Sequence, residues 1–103
     1  MQYEYFFDGS EADIFLSGCL DGQTGSELVE LLAKAIAAHP ECERWCLNLG
    51  QVELKDGSGM ISLLRCLQLA LRHRVRLQLS GMTRKTQLLL RISRVHSLFE
   101  QTA

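Results

Sequence analysis

The stretch that most constrains this chain is Val52-Glu53-Leu54-Lys55-Asp56-Gly57-Ser58-Gly59-Met60, which runs straight into Ile61-Ser62-Leu63-Leu64. A segment ending in an acid breaks into Gly-Ser-Gly, and helical spacing begins at once. Met60, Leu64, Leu67 and Leu71 recur at i, i+4, i+7 and i+11, which predicts one inward face of a 3.6-residue period. Two glycines flanking a serine give a tight turn, with Ser58 placed to cap the helix. Unpaired backbone N–H groups at such a start make it a ready anion or phosphate seat. Taken alone, Asp-Gly-Ser-Gly reads as a capped helix and no more. The rest of the chain has to supply a reason to read function into it.

Around this turn the chain alternates between two periods. Gln2 to Asp8 is rich in Tyr and Phe, as strands are, and Gly9-Ser10-Glu11 supplies turn chemistry. Ala12 to Ser17 reads as a second strand, so the chain opens on a hairpin that ends in the loop Gly18 to Gln23. Thr24-Gly25-Ser26-Glu27 has the spacing of a capping box, a hydroxyl followed three residues on by a carboxylate. Leu28, Leu31, Leu32, Ala35 and Ile36 then form one helical face, and His39-Pro40 stops it. Trp45 to Leu49 is a short apolar run that suits a buried strand. The helix launched by the central turn reaches about Arg72. Val75, Leu77 and Leu79 alternate with Arg76 and Gln78 as a half-buried strand closed by Gly81. A third helix starts at Thr83 or Arg84, with Leu88, Leu89, Ile92 and Val95 inward and Leu98-Phe99 packing the tail. The order β-β-α-β-α-β-α, with a short last strand, implies an α/β fold. It has a mixed sheet of about four or five strands, an N-terminal hairpin and helices mainly on one face.

With 103 residues, the expectation is a single domain spanning 1–103. No apolar run approaches the roughly 20 residues of a membrane span, and the N-terminus lacks a secretion signal, so the expected location is cytoplasmic. Residues 1–56 carry eleven acids against three Lys/Arg, and residues 57–103 one acid against eight, for a chain total of −1. That asymmetry suits a charged partner surface, although folding the halves together would blunt it. The basic residues are not interleaved with aromatics, so no nucleic-acid partner is expected. Cys19, Cys46 and Cys66 lie in apolar segments and read as structural thiols. His39, Cys42 and Cys46 lack a fourth ligand at useful spacing, so no metal is expected.

Three segments, in order, resemble the STAS family of bacterial anti-sigma-factor antagonists and their relatives. Leu16-Ser17-Gly18-Cys19-Leu20-Asp21 with Thr24 is similar to the family's L-x-G-x-L-D-x-x-T. Leu47-Asn48-Leu49-Gly50-Gln51-Val52 followed by Asp56-Gly57-Ser58-Gly59-Met60 resembles its strand and D-S-[ST]-G-[LM] turn. Leu77-Gln78-Leu79-Ser80-Gly81, with Leu88-Leu89 and Leu98-Phe99 beyond, resembles the third. Together these segments cover nearly the whole chain.

The resemblance implies a non-enzymatic module that docks on a kinase-like anti-sigma factor, which phosphorylates the first hydroxyl residue after the motif Asp. Here that place is Gly57, which has no hydroxyl, and Ser58 holds the second place. Three readings stay open: the switch is removed, it has moved to Ser58, or the chain belongs to a branch with other work. Removal ranks first, because a one-residue shift changes where the hydroxyl points. Asn48, where Asp is frequent, and Arg74, where a helix-ending Gly is common, also depart from the pattern. The implied docking residues are Asp21, Gly22, Asp56, Gly57, Ser58, Gly59 and Met60, with Arg65 and Arg72 sharing a face of the following helix. The simpler readings are a turn for Asp21 and a solvated face for the arginines. The alternative partner is the ATPase of a bacterial lipid-transport ABC system, braced by a small cytoplasmic STAS subunit. No cofactor is implied. His39, His73, His96 and Ser58 form no evident catalytic arrangement, and no Gly-Lys-Ser/Thr follows the turn as a P-loop would need.

Overall fold

A two-residue turn starts the fold. Gly9 takes φ 61, the left-handed value that a tight hairpin turn asks of its first central residue, and Ser10 completes it. The computed structural model describes residues 1–92 and 100–102. Strand β1 (Gln2–Asp8) pairs antiparallel with β2 (Glu11–Leu20). Helix α1 (Gly22–Ala38), strand β3 (Arg44–Leu54), helix α2 (Gly57–Arg72), strand β4 (Arg76–Ser80), helix α3 (Arg84–Ile92) and strand β5 (Glu100–Thr102) follow. The sheet order is β1-β2-β3-β4-β5, and every pair after the first is parallel. Right-handed crossovers that all step in the same direction place their helices on one face. The expected α/β class, mixed sheet and N-terminal hairpin are therefore present. Among the described residues no helix is long and apolar enough to cross a membrane.

Burial follows the strands' period of two. Ala12, Ile14 and Leu16 of β2, Trp45, Leu47 and Leu49 of β3, and Leu77 and Leu79 of β4 face the helices and are buried. β2 and β3 are longer than the sequence predicts, because an irregularity hides their second halves. Phe15 pairs with Asn48 and Ser17 with Gln51, so β3 holds one extra residue near Leu49-Gly50. Alternation then restarts with Val52 and Leu54 inward. Asn48 Oδ1 steadies the irregularity by accepting the Gly50 N–H at 3.0 Å. At the other end of β3 the fully buried Trp45 donates its Nε1–H to the Cys42 carbonyl at 3.2 Å.

Neither helix starts as the sequence predicts. The N-cap of α1 is Asp21, not Thr24, and the capping box is Asp21 with Thr24. The N-cap of α2 is Asp56, with Ser58 inside the first turn. In both cases an acid two or three residues before the expected cap accepts first-turn N–H groups, which a carboxylate does as well as a hydroxyl. α1 buries Gly25, Leu28, Leu32 and Ile36. Each of its large apolar side chains contributes roughly 1.5–3 kcal/mol. The inward face of α2 also differs from the predicted one. It consists of Gly59, Ser62, Leu63, Cys66, Leu67, Leu69 and Ala70, while Met60 and Leu64 are half-buried and Leu71 is 68% exposed. Several alternative apolar stripes exist on this helix, and packing against α1 chooses among them. On α3, Leu88 is 47% exposed rather than inward. The inward positions assigned to Leu89, Ile92 and Val95, and the tail Leu98-Phe99, lie outside the described side chains.

The four cysteines are free thiols. Burial pushes the Cys66 thiol up to about 12. Cys42 Sγ points at the Gly9 carbonyl (3.8 Å) and Cys46 Sγ at Ser80 Oγ (3.1 Å), so the two sulfurs do not converge with His39 on a common centre.

The end of α2 carries a departure that the structure explains. The Val75 N–H reaches the Ala70 carbonyl (3.0 Å) and the Arg74 N–H the Leu71 carbonyl (3.2 Å), the paired bonds of a Schellman cap. This cap needs a left-handed residue, and Arg74 supplies it at φ 57 against the preference of an L side chain. Arg74→Gly should therefore stabilise the fold by about 0.5–1 kcal/mol. An unchanged or lower urea midpoint for that variant would contradict the assignment.

Candidate functional site

Two helix starts meet at one end of the sheet. An ideal Cβ on Gly22, the first residue of α1, would lie 3.7 Å from both Cβ and Oγ of Ser58 in the first turn of α2. The meeting depends on close backbone approach. A Cβ on Gly25 would fall 1.7 Å from Ser62 Oγ, and one on Gly59 would fall 2.7 Å from the Leu20 carbonyl oxygen. Buried Ser62 is satisfied inside α2, donating to the Ser58 carbonyl at 2.9 Å. The Asp21-Gly22 loop and the Asp56 to Met60 turn thus lie side by side, with Asp21 close enough to Asp56 to act on its charge.

Each carboxylate serves its own helix first. Asp21 Oδ1 accepts the N–H groups of Gln23 and Thr24, both at 3.0 Å. The Thr24 hydroxyl accepts the Asp21 N–H at 2.9 Å and donates to the Cys19 carbonyl at 2.8 Å. The Thr24 N–H bond, more than any other contact, holds the Asp21 carboxyl below its ordinary value. Asp56 Oδ1 accepts the Ser58 N–H at 2.9 Å and also the Ser58 hydroxyl. That hydroxyl lowers the Asp56 carboxyl, the Ser58 N–H adds to the effect, and neighbouring Asp21 opposes it. The anion seat expected from the sequence is thus taken by the chain's own carboxylates, with Lys55 as the nearby cation. A free phosphate arriving here meets two acids.

The turn residues divide by role. Gly57 is exposed, and a Cβ there would meet nothing within 4 Å. Ser58 is half-buried with its hydroxyl tied to Asp56. Gly59 is buried and permits packing rather than contact with a visitor, and Met60 is half-buried against the core. Arg65 and Arg72 are exposed on α2, seven residues apart on one face.

Sequence reasoning missed two neighbours of these arginines. Ile61 is 61% exposed and Leu71 68% exposed. Counting along α2 from Gly57, the positions 61, 64, 68 and 71 fall at i+4, i+7, i+11 and i+14, so one outward stripe runs Gly57, Ile61, Leu64, Gln68, Leu71. It begins at the open glycine and is flanked by Arg65 and Arg72. The available signal was that α2 is apolar on more than one face, as a helix with a single buried side need not be.

A broad concavity lies elsewhere. A groove of about 920 Å³ sits on the sheet face that carries none of the described helices, floored by Phe6 and Phe15 and edged by Glu4, Asp13, Asn48 and Gln51. The two rings meet edge to face at 5.4 Å. None of its lining residues belongs to the Asp56 turn.

Comparison with known proteins bears on the fold first. Solved structures share it, among them the following three. The anti-sigma factor antagonist SpoIIAA in its unphosphorylated form aligns at TM-score 0.76 and 14% identity, over 99% of this chain and 89% of that one. A glutamate-for-serine variant of RsbS from Moorella thermoacetica aligns at 0.80 and 14%, over 99% and 86%. A sulfate transporter family protein from Wolinella succinogenes aligns at 0.66 and 18%, over 86% and 71%. No curated protein matches in sequence. The family model described as "Mlab, STAS domain" matches residues 5–100, nearly the whole length over which the hairpin, the capped turns and the parallel strands have been traced. The chain belongs to the STAS domain family.

Proposed function

We propose that this chain is a non-enzymatic docking module of the bacterial cytoplasm, similar in use to an anti-sigma-factor antagonist and bound by a kinase-like anti-sigma factor. The observation that carries the reading is the outward stripe of α2. Ile61 and Leu71 present apolar area in line with Gly57, and Arg65 and Arg72 flank it with positive charge. Apolar anchors bordered by charge are how partners combine affinity with steered encounter. The Asp21-Gly22 loop and the Asp56-Gly57-Ser58 turn extend the same surface beyond the helix start.

In this reading the phosphorylation switch is absent. A phosphate brings nearly two negative charges, and beside Asp56 and Asp21 it would repel an acidic visitor and break the cap. The place where the family carries its acceptor is open but bears no hydroxyl, while the Ser58 hydroxyl is engaged by Asp56. The module is therefore constitutively competent to dock. A second reading, a subunit bracing the ATPase of a lipid-transport ABC system, is favoured by one finding: the same fold occurs in a sulfate transporter family protein. It needs no switch and uses the same α2 face.

Capture from native lysate tests the surface. Ile61→Glu and Leu71→Glu should each weaken partner capture by about 2 kcal/mol, roughly 30-fold, with the far-UV spectrum unchanged. Asp56→Lys should weaken it as well. Equal capture by all three variants would sink the reading, and the captured protein, kinase-like or ATPase, decides between the two partners. The switch has its own test. With the cognate kinase and ATP, mass spectrometry should find the natural chain unmodified, while Gly57→Ser gains one phosphate at the substituted position. Phosphate on Ser58 of the natural chain would show that the switch has moved rather than gone.

A further inference from the structure

Strand β1, Gln2-Tyr3-Glu4-Tyr5-Phe6-Phe7-Asp8, forms an outer edge of the sheet, and β2 is its one sheet neighbour among the described residues. Edge strands are normally blunted by charged side chains, Lys above all, by Pro, by bulges or by short length, because an unpaired ladder invites another strand. Of these β1 has only the two acids Glu4 and Asp8. It pairs with β2 without interruption over all seven residues and contains no Pro, Lys or Arg. Three consecutive aromatics, Tyr5, Phe6 and Phe7, are instead 39%, 53% and 43% exposed on it. Because the turn has two residues, Asp8 and Glu11 close it as a hydrogen-bonded pair. Alternation then aims the N–H and C=O groups of Tyr3, Tyr5 and Phe7 at the free edge.

We propose that this edge is a homodimer interface, on which β1 of a second copy pairs antiparallel with Tyr5 facing the second copy's Tyr5 across a two-fold axis. The occupant follows from register. A continuous sheet keeps helix-side residues opposite helix-side residues, so the pairing is centred on a residue, and three centres pair at least five residues of the strand. Centring on Glu4 sets two carboxylates face to face on the axis. Centring on Phe6 sets Glu4 against Asp8 twice. Centring on Tyr5 opposes no acid to an acid: Glu4 meets Phe6, Gln2 meets Asp8, and Tyr3 meets Phe7. Only that register also pairs all seven residues. Cross-strand aromatic pairs are favourable, while directly opposed like charges are not. On the helix side a groove of about 440 Å³, lined by Tyr5, Leu31 and Ala35 and rimmed by Glu27, Glu30 and Lys34, runs beside the strand and has room for the incoming rings. The interface is isologous, so it closes at two copies. It lies at the far side of the sheet from β4 and so is independent of the α2 docking face.

Sedimentation of the full chain across micromolar to millimolar concentration tests this. The expected result is a reversible species of about twice 11.6 kDa that tightens as salt is raised, because salt screens the acidic residues surrounding the edge. Cysteine scanning reads the register directly. An antiparallel hydrogen-bonded pair holds its Cα atoms about 5.5 Å apart, within disulfide reach. Under mild oxidation Tyr5→Cys should cross-link faster than Glu4→Cys, Phe6→Cys or the natural chain with its four thiols. A monomer at every concentration, a species that grows beyond two copies, or faster cross-linking at either flanking position would overturn the proposal.

Discussion

The structure depends on the close approach of α1 and α2. Gly25 lies where a methyl group would overlap Ser62, and Gly59 lies where one would press on the Leu20 carbonyl, which belongs to the backbone and cannot swing aside. Both helices are therefore seated deep against β2 and β3, and their first turns are forced together. Asp21 and Asp56, each doing the ordinary work of an N-cap, become neighbours as a result. The candidate site is a by-product of helix packing: two capped starts, one open glycine and one serine whose hydroxyl is already engaged.

Seating α2 this way also decides which of its apolar residues meet water. Leu63, Cys66, Leu67 and Ala70 turn inward, and Ile61 and Leu71 are left outside. Forgoing burial of such side chains leaves roughly 1.5–3 kcal/mol unrealised for each. A single exposed leucine is unremarkable on a protein surface. Two of them on one stripe, in line with the open turn and flanked by arginines, form a surface that a partner can cover. β1 presents the same situation on an edge, with aromatic rings and unsatisfied ladder groups together.

Because strand order repeats sequence order, the charge division along the chain survives folding. The acidic first half supplies β1, β2, α1 and β3, and the basic second half supplies α2, β4 and α3. A shuffled strand order would have interleaved the two halves. Here α2 carries its arginines at one side of the sheet, while Glu4, Asp8 and Glu11 gather towards the other.

Much of this was legible in the residues. Turn chemistry at Gly9-Ser10 marked the hairpin, His39-Pro40 ended α1 near where it ends, and alternation through Val75 to Leu79 marked β4. The ordered family motifs pointed to the fold by themselves. These signals are local: each rests on backbone preference or on a period within a few residues, and a short window contains them. What only tertiary structure decided was every choice between local equals. Thr24 and Ser58 were as good caps on paper as Asp21 and Asp56, and the inward stripe of α2 had rivals. The extra residue at Leu49-Gly50 reset the alternation of β3, and nothing local to Gly25 marks it as the place where Ser62 packs. Such choices are set by contacts between residues distant in sequence, so a local pattern carries the alternatives and packing selects one.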